Sequence, residues 1–181
     1  MMAITTRILS IFVLMVLFNT VLFYFSITTT VIPGLILHFP LIFLVPFTVW
    51  FGIWGLISSY LGFFLALTIG GVGSIGLNLL WSFCYFLQPL IPVVAFKYLG
   101  ASPELRNTRD ILILILFGVI ANNIAASSYG VLIPLSFRYW PWSIASSIWA
   151  KWTIGNIMLT GLFTPAILIE FTSRIKDAYR R

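Results

Sequence analysis

The stretch PGLILHFPLIFLVPFTVWFGIWGLISSYLGFFLALTIG, Pro33 to Gly70, decides how many times this chain crosses an apolar phase. It is too long for one span of about 20 residues and short for two. Its punctuation favours two. Pro40 and Pro46 each remove a helical donor and crowd the preceding turn, which predicts a short or kinked segment 2 from Pro33 to Val49. Gly52 and Gly55 relax the backbone beside Trp50 and Trp54, rings suited to a membrane interface. The chain is therefore expected to hinge at WFGIWG and return as segment 3, Trp50 to Ile69. Gly52, Gly55, Ser59, Gly62 and Ala66 recur there at steps of three and four, giving a small-residue face that a neighbouring helix can approach closely.

Composition sets the class around this stretch. The chain has 181 residues, 61% hydrophobic and only 8% charged, too apolar for a soluble domain of this length. Segment 1, Arg7 to Ile27, is long enough to span, and no A-x-A-like cleavage site follows it, so it reads as a retained span rather than a signal peptide. Thr28 to Pro33 favours extended backbone and breaks the helix. Gly70, Gly71, Gly73 and Gly76 form a turn; without a following Lys-Ser/Thr pair they are no phosphate cradle. Segment 4, Leu77 to Tyr98, carries Pro89 and Pro92 and is expected to kink or partly unwind in its second half. In the hydrophilic loop ASPELRNTRD, Ser102, Pro103 and Glu104 have the order of a helix start. Segments 5, Ile111 to Leu135, and 6, Ala145 to Phe171, complete the expectation. It is an all-α integral membrane protein, residues 1–181 forming a single polytopic domain of six transmembrane helices in one compact bundle, several kinked by Pro or Gly.

Charge orients such a bundle. The net charge of +6 resides mainly in residues between or beyond the apolar runs, which speaks for membrane orientation and against a nucleic-acid partner. Six spans put Arg7, the loop of Lys97, Arg106 and Arg109, and the tail of Arg174, Lys176, Arg180 and Arg181 on one side, leaving Arg138 and Lys151 toward the other. The lipid bilayer of the cell membrane is the implied partner, with multi-pass insertion and both termini cytoplasmic. Five spans would split the basic loops between the two faces.

At a rise of about 1.5 Å per residue, the uncharged polar residues gather in the outer half. Asn78 opens segment 4, Asn122, Asn123 and Tyr129 lie in segment 5, and Lys151, Trp152 and Asn156 enter segment 6 beside Trp149. His38 falls a turn or two below the outer end of segment 2. One-sided polarity of this kind implies an outward-opening small-molecule pocket with Arg138 to Trp142 as an aromatic lip. Competing roles exist for each residue. Lys151 has a stem long enough to snorkel, and helical periodicity groups Trp149, Trp152, Asn156 and Thr160 on one face with Lys151 beside it. Asn122 and Asn123 are adjacent and cannot both face one direction, so at most one is expected to line a site while the other bonds across helices. Asn78 also suits a helix cap, and His38 a hydrogen-bonded interior position.

Catalysis is poorly served. Glu104, Asp110, Glu170 and Asp177 all fall toward the cytoplasmic side, and neither a Ser-His-Asp order nor a nucleotide loop is present. The single cysteine, Cys84, and the single histidine make no metal-ligating pattern. No enzymatic activity and no cofactor are therefore expected.

Together, FPLIFLVPFTVWFGIWGLISSYLG (39–62) and WTIGNIMLTGLFTP (152–165) in a six-span chain of this length resemble the substrate-binding S components of energy-coupling-factor vitamin transporters. The pattern is also similar to MASE1-type membrane sensor modules. The first resemblance implies an outward-facing pocket for a vitamin-like molecule, and a transmembrane coupling subunit driven by two ATPases as partners. The second implies a sensory or scaffolding module that acts through another protein. S components commonly present an Ala-x-x-x-Ala face on the first span; this chain has no alanine between Arg7 and Phe25, and the Gly55, Ser59 and Gly62 ridge is the substitute its sequence offers.

Overall fold

At Gly52 the chain turns back on itself. This residue has φ +58° and ψ −128°, a conformation open to glycine, and separates α2 (Leu41–Phe51) from α3 (Ile53–Ile69). A Cβ placed on Gly55 would lie 2.6 Å from the Cα of Thr48. In one straight helix those positions would be about 10 Å apart along the axis, so the two helices form a hairpin. The hinge expected at WFGIWG is present, and the small-residue face closes it.

The computed structural model describes residues 2–29 and 31–180, with side chains over 6–29 and 31–178. Thr30 of the expected helix break, and Arg181 and the side chain of Arg180 of the basic tail, lie outside the described residues. Besides the hairpin, the described residues form α1 (Met2–Thr28), α4 (Ile75–Tyr98), α5 (Thr108–Ser136) and α6 (Trp142–Arg180). No strand occurs among them, and α1, α4, α5 and α6 are each long and apolar enough to cross a membrane. By contrast α2 and α3, at 11 and 17 residues, fall short of that length.

Contacts fix the direction of each rod. His38, just before α2, lies beside Phe23 near the end of α1, Phe63 in the second half of α3, Tyr85 in the first half of α4 and Trp152 early in α6. The Tyr129 hydroxyl late in α5 donates to the Leu80 carbonyl early in α4. At the opposite end Phe12 of α1 packs on Trp54 at the hairpin turn, and Lys176 near the end of α6 pairs with Glu104 in the α4–α5 loop. The six rods therefore alternate in direction, and the start of α1 and the end of α6 lie at the same end of the bundle as Lys97, Arg106 and Arg109.

The expected course of segment 2 needs correction. Residues 31–40 are not helical, and helix begins only at Leu41. The irregular backbone nevertheless runs beside α6. The Ile36 N–H donates to the Lys151 carbonyl, the His38 N–H to Asn156 Oδ1, and the Thr164 hydroxyl to the Ile42 carbonyl; lower down, the Trp50 indole N–H reaches Thr172 Oγ1. Between Lys151 and Thr172 α6 rises about 30 Å, so extended chain plus a short helix together cover that depth. Pro33 and Pro40 contribute to the non-helical stretch, because each biases the residue before it toward extended backbone. Pro46, in contrast, sits within α2.

Three further expectations change. Helix α4 continues through Pro89 and Pro92 without unwinding. Ser102 does not start a helix: Asn107 does, its Oδ1 accepting the Asp110 N–H at 2.9 Å. Ser102 is turned instead toward Asp110, whose Oδ1 accepts its N–H, while Leu105 is buried at φ +53° against the core. Within α5, Leu114–Ala121 is wound as π-helix, which ordinary apolar periodicity does not announce.

The lower end is tied by charge. Glu104, with its side chain 14% exposed, binds Lys176 at 2.7 Å and Arg106 at 2.5 Å. Its carboxyl is held below the usual carboxylate range, chiefly by the hydrogen bond from Lys176, against a smaller opposing effect of burial, with the charges of Lys176 and Arg106 adding. A folded-state value below the unfolded one stabilises above the unfolded range near pH ~4.3, and that contribution disappears as pH falls through the folded value. The melting temperature of wild type should therefore exceed that of Glu104→Gln at pH 7, and the gap should narrow progressively as the pH is lowered below about 4.

A Cβ on Gly155 would meet the Ile36 carbonyl oxygen at 2.6 Å, whereas one on Gly76 meets nothing within 4 Å. Gly155→Ala should cost about 1–3 kcal/mol by overpacking, and Gly76→Ala should be neutral or stabilising by up to about 1 kcal/mol. Thermal unfolding of the two variants in the same detergent checks the contrast.

Candidate functional site

The irregular 31–40 segment cannot fill the width of a helix, and the space it leaves becomes a cavity. Its volume is about 290 Å³, and its wall includes Leu35, Ile36 and Leu37 of that segment with Phe63, Trp81, Trp140 and Trp152. The end of α1 contributes Ser26 and Ile27, and His38 forms part of the deep wall. Trp140, half-buried in the α5–α6 connection, meets Trp81 edge-on with ring centroids 5.4 Å apart. Trp152 is brought in by Gly130: a Cβ there would lie 2.4 Å from the indole Cη2, so the ring lies directly on the α5 backbone.

His38 is the polar centre of an otherwise aromatic surround. It is 5% exposed, and its ring contacts Trp152 edge-on at 4.9 Å and Tyr85 at 5.6 Å. Asn156 holds it at two points. Asn156 Oδ1 accepts the His38 backbone N–H at 2.9 Å, and Asn156 Nδ2 lies 3.1 Å from His38 Nδ1. Because the backbone N–H can only donate, the amide oxygen must face it and the amide NH₂ must face the ring. Nδ1 is then an acceptor.

Of the residues singled out in the sequence, His38 and Trp152 line the cavity, and Asn156 stands directly behind His38. The others do not line it. Trp149 is 38% exposed and donates through its indole N–H to Ser128 Oγ at 3.0 Å. The Lys151 side chain is exposed, and its part in the structure is its backbone carbonyl. Tyr129 bonds to the Leu80 carbonyl. Asn78 is buried with its amide NH₂ 3.4 Å from Thr68 Oγ1, while Ser74 caps α4 in its place. Asn123 ties three helices together: it accepts from Gln88 Nε2 at 2.6 Å and donates to the Val119 carbonyl and to Thr160 Oγ1 at 2.7 and 2.9 Å. Asn122 is buried with its Oδ1 unpartnered among the described residues.

Sequence reasoning placed Trp140 in a lip but passed over Phe63 and the Leu35–Leu37 wall. Nothing in an apolar run distinguishes a ring that faces a cavity from one that faces lipid. No group of three or more His, Cys, Asp or Glu residues able to hold a metal ion occurs among the described residues. Comparison with known proteins found no matching family model, curated protein or solved structure.

Proposed function

We propose that this protein is a membrane-embedded subunit that binds a small, vitamin-like molecule in the cavity beneath Trp140. All six rods, with the 31–40 segment completing the second, cross the bilayer. The basic end, with Arg7, Lys97, Arg106, Arg109, Arg174 and Lys176, faces the cytoplasm together with both termini. The cavity then opens outward.

The observation that carries this reading is the concentration of Trp81, Trp140, Trp152, Phe63 and His38 around one space at one end of the bundle. Mostly apolar walls with a few placed polar groups are the usual form of a small-molecule site. The resemblance to S components suggests delivery of the bound molecule through a coupling subunit and its ATPases. The proposed docking ridge is occupied within the chain: Gly62 packs on Asn19 of α1, Gly55 on α2, and the Ser59 hydroxyl bonds to the Tyr85 carbonyl of α4. A coupling subunit would therefore meet a different face.

Mass spectrometry of small molecules released on denaturing the purified full chain tests the proposal, and a near-stoichiometric compound is expected. Trp140→Ala should lower its retention about tenfold through loss of one aromatic wall. Trp142→Ala should leave retention unchanged, since that side chain is 69% exposed away from the cavity. A protein that is empty as purified and binds nothing from a metabolite panel overturns the reading.

A further inference from the structure

We infer that the cavity selects an uncharged ring compound bearing a hydrogen-bond acceptor, read by the Nε2–H of His38, and that Asn156 is the positioning residue that sets this tautomer. The inference rests on the proposed binding function and specifies its ligand class.

The tautomer follows from the clamp. Asn156 presents its NH₂ to His38 Nδ1, because its oxygen is held by the His38 backbone N–H. A proton on Nδ1 would set donor against donor at 3.1 Å. Neutral imidazole has one N–H, so it lies on Nε2. Nε2 has no hydrogen-bond partner among the described residues, which leaves it as the donor available to a guest.

Exclusion of charge follows from the walls. The residues lining the cavity include no Asp, Glu, Lys or Arg. The start of α2 offers no substitute for an anion, since the N–H groups of Leu41, Ile42 and Phe43 are already bonded to the carbonyls of His38, Phe39 and Pro40. The Ser26 hydroxyl is also engaged, donating to the Leu22 carbonyl and accepting the Phe39 N–H. A carboxylate or ammonium group would lose its hydration here without gaining a counter-charge, and an isolated charge of that kind is costly to bury. A neutral carbonyl or ring nitrogen meets the His38 donor, the Thr29 hydroxyl at the cavity wall and flat aromatic faces, including Trp81 and Trp152.

The single histidine of the chain makes the test specific. The full-length protein labelled with ¹⁵N-histidine, in micelles, should give the nitrogen shifts of the Nε2–H tautomer. Asn156→Leu should lose that pattern, giving mixed-tautomer or Nδ1–H signals. A wild-type Nδ1–H or imidazolium spectrum at neutral pH overturns the inference, as does an unchanged spectrum in Asn156→Leu. If that variant does not fold, the wild-type spectrum still decides the tautomer.

Benzamide, benzoate and benzylammonium, matched in ring size and differing in charge, then probe selection through the His38 signal. Benzamide should bind at least about tenfold more tightly than either ion. Comparable binding of benzoate or benzylammonium overturns the charge selection while leaving a small-molecule site in place. Failure of all three to move the His38 signal, with no molecule co-purified, removes the proposed function and this inference with it.

Discussion

Backbone that leaves the helix inside an apolar bundle must find hydrogen-bond partners there, and the 31–40 segment is the place where this protein meets that demand. Each unsatisfied N–H in a dry interior costs several kcal/mol. Ile36 finds the Lys151 carbonyl, His38 the Asn156 amide and Phe39 the Ser26 hydroxyl. All three partners depend on close approach to a neighbouring helix. Gly155 supplies it on α6, since any side chain there would collide with the Ile36 carbonyl. Asn156 follows from the same requirement, being short enough to reach a backbone N–H and bifunctional enough to hold the imidazole as well. The cavity is a consequence of this arrangement, because a thin irregular segment occupies a place that a helix would have filled.

Most other buried amides and hydroxyls serve the packing of helices. Asn123 with Gln88 and Thr160 joins α4, α5 and α6; Ser127 with Thr153 repeats the join at 2.6 Å; Asn19 with Ser58 ties α1 to α3. Such bonds in membrane proteins contribute about 0.6 kcal/mol each on average, so their value lies as much in fixing helix rotation as in stability. The polarity that the sequence gathers at one end of the bundle therefore overstates the polarity of the cavity. Of nine residues read as candidates, two line it and a third acts from behind.

The architecture was legible where local chemistry is decisive. Gly52 between two apolar runs announced the hairpin, and the periodic small residues of α3 announced its close packing on α1 and α2. The charge pattern correctly grouped Arg7, the 97–109 loop and Arg174 with Lys176 at one end of the bundle. What was not legible depends on partners distant in sequence. Asn156 acts on a backbone 118 positions away, so its own helix explains its face but not its partner. The non-helical depth of residues 31–40 likewise follows from α6, not from its prolines alone, since Pro46, Pro89, Pro92, Pro134 and Pro165 all lie inside helices. The π-helical turn before Asn122 left no trace in composition, and the reading of Lys151 failed to separate its side chain from its carbonyl.

The two ends of the bundle are fastened by different chemistry. The basic end has the Glu104 bridge to Lys176 and Arg106, the Asn107 cap and the Trp50 bond to Thr172, all between segments far apart in sequence or at a loop. Around the cavity the α5–α6 connection is met instead by the edge of Trp81 on Trp140, an aromatic contact that is worth about 0.5–1.5 kcal/mol beyond buried area. On the proposed function, a molecule entering beneath Trp140 displaces that contact and replaces it with its own ring, so the exchange is close to neutral for the protein. The Asn156 clamp and the ion-paired end are untouched by it. Recognition then rests on a donor already fixed before the molecule arrives, which lowers the ordering cost of binding.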